Sequence, residues 1–225
     1  STAEIKSMGL LKAADCILAH KDKIIAANST DMELAKGKNL NKAWLDRLFL
    51  DDTRLKNMVE SLKMIAEFPD PVGKILREDT RPNGLWIKRI STPIGVIGVI
   101  FESRPNVTID ITSLCIKSGN VAILRGGKES LSTNSILINI IQKTLEQNGV
   151  SKNCIQYIKD PNRKYINELL SLDKYIDLVI PRGGKKLVEN VSKNAKMRAI
   201  FGGIGVCHLY IDEKLDYENV LPIII

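Results

Sequence analysis

Three short stretches combine cations with turn-forming backbone: Glu102-Ser103-Arg104-Pro105-Asn106, Arg125-Gly126-Gly127-Lys128 and Pro181-Arg182-Gly183-Gly184-Lys185. Glycine lets main-chain N–H groups approach a phosphate, a following helix presents its positive end, and Arg or Lys supplies the counter-charge. Two Gly-Gly loops of this kind suit a dinucleotide. Neither has G-x-G-x-x-G spacing and neither is a P-loop, so spacing alone leaves plain turns as the alternative. Thiol chemistry is less well supplied. Cys16, Cys115, Cys154 and Cys207 form no C-x-x-C pair, and His20 and His208 are the only histidines, which argues against a zinc site or a disulfide framework. Cys207 beside His208 admits a Cys-His pair or, more simply, a buried strand cysteine. The other three cysteines lie on apolar helix faces or in a strand and read as core.

For the three loops to act together, the elements before them must deliver them to one edge. Residues 94–101 are nearly all branched and apolar, broken by Gly95 and Gly98, as in a strand buried on both faces. From there the chain alternates. Strands are predicted near 94–101, 121–125, 154–158, 177–181 and 207–211, with helices near 107–118, 130–148, 163–171, 183–194 and 216–225. Such a βαβ series is an α/β fold with an open, mostly parallel, Rossmann-like sheet whose carboxyl-end loops share one edge. Gly119 and Gly149 are placed to end two of the helices.

Residues 1–68 carry helical periodicity throughout. Asn28-Ser29-Thr30-Asp31 reads as a cap that opens a new helix, Gly37 as a stop, and helices are expected over 41–50 and 52–68. This segment shows no polar cluster that needs a mechanism, so its expected role is packing on the cofactor domain. Residues 69–93 hold two turn clusters, the second ending in Asn83-Gly84, with Leu85, Ile87 and Ile90 against Lys88 and Arg89 in an exposed strand. Its edge could pair with another subunit, in a homo-oligomer. The expected division is therefore 1–68 helical, 69–93 extended, and 94–225 cofactor-binding.

Composition narrows the partners. Net charge is +7, which invites nucleic acid, but the 33 Lys and Arg are dispersed among 26 Asp and Glu, and aromatics are 5%. A phosphate-bearing small ligand explains the charge better, and no nucleic-acid partner is expected. The longest apolar runs are too short to span a bilayer and the first residues lack the apolar core of a signal peptide, so no membrane partner and a cytoplasmic location are expected.

The segments Phe101-Glu102-Ser103-Arg104-Pro105-Asn106-Val107-Thr108, Ile123-Leu124-Arg125-Gly126-Gly127-Lys128-Glu129, Val179-Ile180-Pro181-Arg182-Gly183-Gly184 and 203–212 resemble the gamma-glutamyl phosphate reductase family of the aldehyde dehydrogenase superfamily. Residues 69–73 and 80–85 do too, so the resemblance covers essentially the whole chain. It implies an aldehyde-dehydrogenase-like fold with an oligomerising hairpin. The implied reaction is reduction of L-glutamyl 5-phosphate by NADPH to L-glutamate 5-semialdehyde with release of phosphate, in proline biosynthesis. There a thiolate displaces phosphate to give a thioester, which hydride then reduces.

Residue by residue, the resemblance makes Asn106 the oxyanion-steadying amide, with capping of a helix at Val107 as the alternative. Arg104 becomes a ligand for substrate phosphate or carboxylate, the alternative being a surface salt bridge. Arg125, Gly126, Gly127 and Lys128 fall on the adenosine-ribose side, where the extra charge favours NADP over NAD, and Arg182, Gly183 and Gly184 fall at the pyrophosphate loop. Ile200-Phe201-Gly202-Gly203 replaces a Glu-Leu-Gly-Gly stretch, which removes a water-activating glutamate and suits a reductase. The family's nucleophilic cysteine should follow the helix that reaches Ile225, so the resemblance implies a truncated, catalytically incomplete chain; Pro222 should also disturb that last helix. A non-catalytic nucleotide-binding or interaction module is the alternative function.

Overall fold

The computed structural model describes residues 1–37, 41–202, 208–213 and 217–224. Four helices come first: α1 (Ala3–Ala19), α2 (Lys21–Lys36), α3 (Lys42–Leu48) and α4 (Asp52–Glu67). An antiparallel hairpin follows, β1 (Ile75–Thr80) with β2 (Trp86–Ile90). The remainder alternates: β3 (Val96–Phe101), α5 (Pro105–Lys117), β4 (Val121–Arg125), α6 (Leu131–Gln147), β5 (Ile155–Tyr157), α7 (Lys164–Leu170), β6 (Leu178–Arg182), α8 (Lys185–Asn194), β7 (Arg198–Ala199) and α9 (Tyr217–Ile224).

Strands β3 to β7 form one parallel sheet in the order β5-β4-β3-β6-β7. The chain winds outward from β3 in one direction through β4 and β5, then returns to the other side of β3 to continue through β6 and β7. That return is why β3 is covered on both faces. Alternate residues separate cleanly: Ile97, Val99 and Phe101 join a core with α1, α4, α5 and α6, whereas Ile100 joins Val179 in a second core under α7 and α8. Gly119 (φ 72°) and Gly149 (φ 77°) end α5 and α6 in the left-handed region, as anticipated.

Two expectations need correction. Asn28-Ser29-Thr30-Asp31 opens no helix, because α2 runs through it without a break. The Ser29 and Thr30 hydroxyls donate to the carbonyls of Ile25 and Ala26, one turn back. Asn28 and Asp31 instead reach other elements. The fifth sheet strand is also not near 207–211: residues 203–207 lie outside the described set, 208–212 are irregular, and β6 pairs instead with the two-residue β7. Pro222 lies inside helix α9, which continues two residues past it.

The hairpin stands off the body. All of β2 is exposed, with Trp86 and Ile90 presenting large apolar surface, and the Lys88 ammonium sits 3.6 Å over the Trp86 ring. Among the described residues no helix is long and apolar enough to cross a membrane.

Candidate active site

The loops after β3, β4 and β6 emerge at one edge because all three strands are parallel and adjacent. The winding reverses between β3's two neighbours, which opens a crevice at the strand carboxyl ends. A cleft of about 620 Å³ lies there. Glu102, Arg125, Gly127, Lys128 and Glu129 line it from the first two loops, joined by Arg163 and Lys186 from the α7 and α8 sides and by Trp44 from α3. Four cations against two carboxylates give it a net positive character suited to a phosphate-bearing ligand.

The members of this cleft differ in availability. The Arg125 guanidinium is buried, donating from Nη1 to the Gly126 carbonyl (3.1 Å) and from Nη2 to the Pro161 carbonyl (2.7 Å), so it braces the β4 and β5 loops against each other. Its Nε is buried with no partner among the described residues. Lys128 is exposed at the mouth. The glycines are required by packing. A Cβ on Gly126 would come within 2.6 Å of Asn134 Nδ2, and one on Gly127 within 3.2 Å of the Ser103 amide. At the β6 loop, Glu102 accepts a hydrogen bond from the Gly184 N–H (3.1 Å) at the start of α8, and a Cβ on Gly183 would meet Glu102 Cδ at 2.6 Å. A carboxylate of the chain itself thus sits on the helix N-terminus where the sequence places an anion. Arg182 lies away from the cleft lining and close enough to Arg104 to disfavour its charge.

Arg104 and Asn106 open into a second cavity, of about 390 Å³, between α3, α4 and the first turn of α5. Asn106 is not the helix cap: Arg104 occupies the N-cap position, Pro105 follows at the first helical position, and no side chain caps the turn. Asn106 is one residue further in, exposed, with Nδ2 donating to Asp110 at 3.4 Å. Burial pushes the Asp110 carboxyl up, while hydrogen bonds from Asn106 and Ser61 pull it part-way back. The Arg104 guanidinium is shifted down by burial first and then by Arg47 and Arg182, with Glu102 opposing. Across the cavity Arg54 is neutralised by Asp46 at 2.5 Å.

Helix α3 therefore separates the two cavities, giving Trp44 to the cleft and Arg47 to the cavity. Both were missed by treating the N-terminal segment as packing. The available signal was an aromatic and an arginine at i and i+3 in a short helix with one fully buried residue, Leu48. The described cysteines lie off both cavities, and burial pushes the Cys115 thiol up to about 12, which leaves it inert. Cys207 lies outside the described residues.

No family model matches the chain. Gamma-glutamyl phosphate reductase of a Nitratiruptor species is 46% identical over 218 residues, 97% of this chain and 53% of that protein. The crystal structure of gamma-glutamyl phosphate reductase from Thermotoga maritima superposes at a TM-score of 0.90 with 35% identity, over 100% of this chain and 54% of that one. Along the half of those proteins that it spans, the chain is similar to gamma-glutamyl phosphate reductase throughout its own length. It covers about half the length of the curated relatives it matches. Propionaldehyde dehydrogenase from Rhodopseudomonas palustris, at a TM-score of 0.63 and 16% identity over 89% of this chain and 41% of that one, shares the fold. The fold of this chain is thus aldehyde-dehydrogenase-like.

Proposed function

We propose that the chain carries the NADPH-binding and substrate-facing parts of an enzyme that reduces L-glutamyl 5-phosphate to L-glutamate 5-semialdehyde with release of phosphate, in the cytoplasm, as a step of proline biosynthesis. The observation that carries this is the pair of cavities on either side of the β3–α5 loop, one lined by Arg125, Lys128, Arg163 and Lys186, the other by Arg104 and Asn106. NADPH supplies hydride when bound. Lys128 and Arg163 would hold its phosphates on the floor braced by Arg125, Gly126 and Gly127, with Trp44 as one wall and Arg182, Gly183 and Gly184 at the turn beside them. Asn106 donates its amide toward the oxygen that gains charge at the reacting carbonyl, and Arg104 faces the departing phosphate. The reaction needs a thiol; the described cysteines Cys16, Cys115 and Cys154 are off both cavities, and Cys207 reads from the sequence as a strand cysteine rather than the nucleophile, so the chain alone should not turn over. The apolar, exposed β1–β2 hairpin supports pairing with a second copy.

Fluorescence titration with NADPH tests the cofactor half. Saturable binding in the micromolar range is expected, weakened about a hundredfold or more by a combined Lys128→Glu and Arg163→Glu substitution, since two charge-assisted contacts are each worth about 1.5 kcal/mol or more. NADH should bind more weakly than NADPH. Absence of saturable binding would reject the cofactor reading.

A further inference from the structure

The smaller cavity holds opposite charges that do not satisfy one another. Arg47 and Arg104 have no carboxylate partner among the described residues, and no described Lys or Arg nitrogen pairs with Asp110. The same wall shows what a neutralised pair looks like, since Asp46 and Arg54 meet directly. Arg47 is exposed and can be hydrated, but Arg104 and Asp110 are both partly buried, and leaving those two without counter-charges is costly unless a ligand carries the complementary set. A simple anion would answer the arginines and leave the half-buried Asp110 worse off.

The spacing says which ligand answers all three. Asp110 follows Asn106 by four residues on α5, one helical turn or about 6 Å along the same face. Arg104 caps the helix on the far side of Asn106. A cation at Asp110, a polar carbonyl beside Asn106 and an anion at Arg104 therefore lie in line. An α-amino acid with a short, anionic side chain has its ammonium group and its terminal group about one helical turn apart.

We propose that Asp110 is a specificity-determining residue that accepts the α-ammonium group of an acidic amino-acid substrate, while Arg47 and Arg104 together hold its phosphorylated end. The assignment rests on the reading of this cavity as the substrate side. It adds a role for α3, through Arg47, and explains why an acid stands one turn from the amide that faces the reacting carbonyl.

The test uses the intact chain and two stable probes, L-2-amino-5-phosphonopentanoate and 5-phosphonopentanoate, which differ in the ammonium and its hydrogen-bonding capacity. Titration calorimetry or NMR shift mapping should give at least tenfold tighter binding of the amino compound. Asp110→Asn should reduce that preference to within about twofold, with binding of the des-amino compound unchanged or improved. Arg47→Gln should weaken both probes. Equal binding of the two probes by the unaltered chain, or no binding of either, overturns the proposal without need of a variant. So does a preference that survives Asp110→Asn. NADPH titration on the same samples separates the readings: lost cofactor binding with retained amino preference rejects only the cofactor half.

Discussion

Glu102 occupies a position with consequences for whatever binds beside it. Its carboxylate accepts from the Gly184 N–H at the positive end of α8 and lines the same cleft as Lys128, Arg163 and Lys186. In that seat it stabilises the helix start, yet it also places a negative charge where phosphate is expected. Glu102→Gln keeps an acceptor for the Gly184 amide and removes the charge. NADPH binding should tighten about threefold, in line with charge effects at helix termini of roughly 0.3–1 kcal/mol. Unchanged or weaker binding in the fluorescence titration would place the cofactor phosphates elsewhere. Gly183 belongs to the same contact, since any side chain there displaces Glu102 Cδ and Leu187 Cδ2. The glycine is there for the carboxylate that packs on it.

At the scale of elements, α2 acts on α6 through one face. Asp31 accepts from the Ser132 N–H (3.2 Å), the Thr133 N–H (2.8 Å) and the Thr133 hydroxyl (2.7 Å), while Asn28 donates to the Leu48 carbonyl (2.8 Å) and accepts from the Leu50 N–H (2.8 Å). Asp31 is therefore an N-cap for α6 supplied from about a hundred residues away, where no local side chain caps it. Asp31→Ala leaves buried donors unpaired and should cost about 2 kcal/mol, read as a lower midpoint in urea unfolding with unchanged slope. An unchanged midpoint would mean that water takes over the cap. The residue types were legible as capping residues, but their partner was not, because a cap that acts across tertiary space leaves no local spacing to read. The same logic separates the strands. Strands β3, β4 and β6 were legible since each is an apolar run ending in a Gly or Pro turn, whereas β7 is two residues, Arg198 and Ala199, held by pairing with β6 alone. In the site, Arg104 and Asn106 were legible from the loop they share, while Arg47 and Trp44 depend on how α3 is docked.

For the whole molecule, the joint between the helical segment, the sheet and the hairpin is made by buried lysines. Lys6 on α1 forms an ion pair with Asp70 at 2.6 Å, just ahead of the hairpin, and donates to the Lys117 carbonyl at the end of α5 (3.1 Å). Lys117 in turn donates to the Ser7 hydroxyl and to the Ala66 carbonyl at the end of α4, both at 2.7 Å. Three helix ends and the hairpin entrance thus meet on two ammonium groups. The Lys6 side chain is 6% exposed and that of Asp70 16%, so the pair is screened far less than the surface pairs elsewhere. Burial pushes the Asp70 carboxyl up, but the Lys6 ammonium, the Val72 N–H and Lys117 outweigh it, and the net shift is down. A carboxyl held below its unfolded value contributes stability that is complete above about pH 4 and is lost as the pH falls through the lower folded value. Asp70→Asn strands the Lys6 charge and should cost about 3 kcal/mol at pH 7. The gap between variant and unaltered chain should narrow below about pH 4, where the native pair protonates as well. A gap constant from about pH 7 to about pH 3 would show that the loss is one of shape rather than charge. The hairpin, tied to the body through Asp70, should also lose amide protection before the sheet does in the variant, because β1 and β2 bury almost nothing of their own.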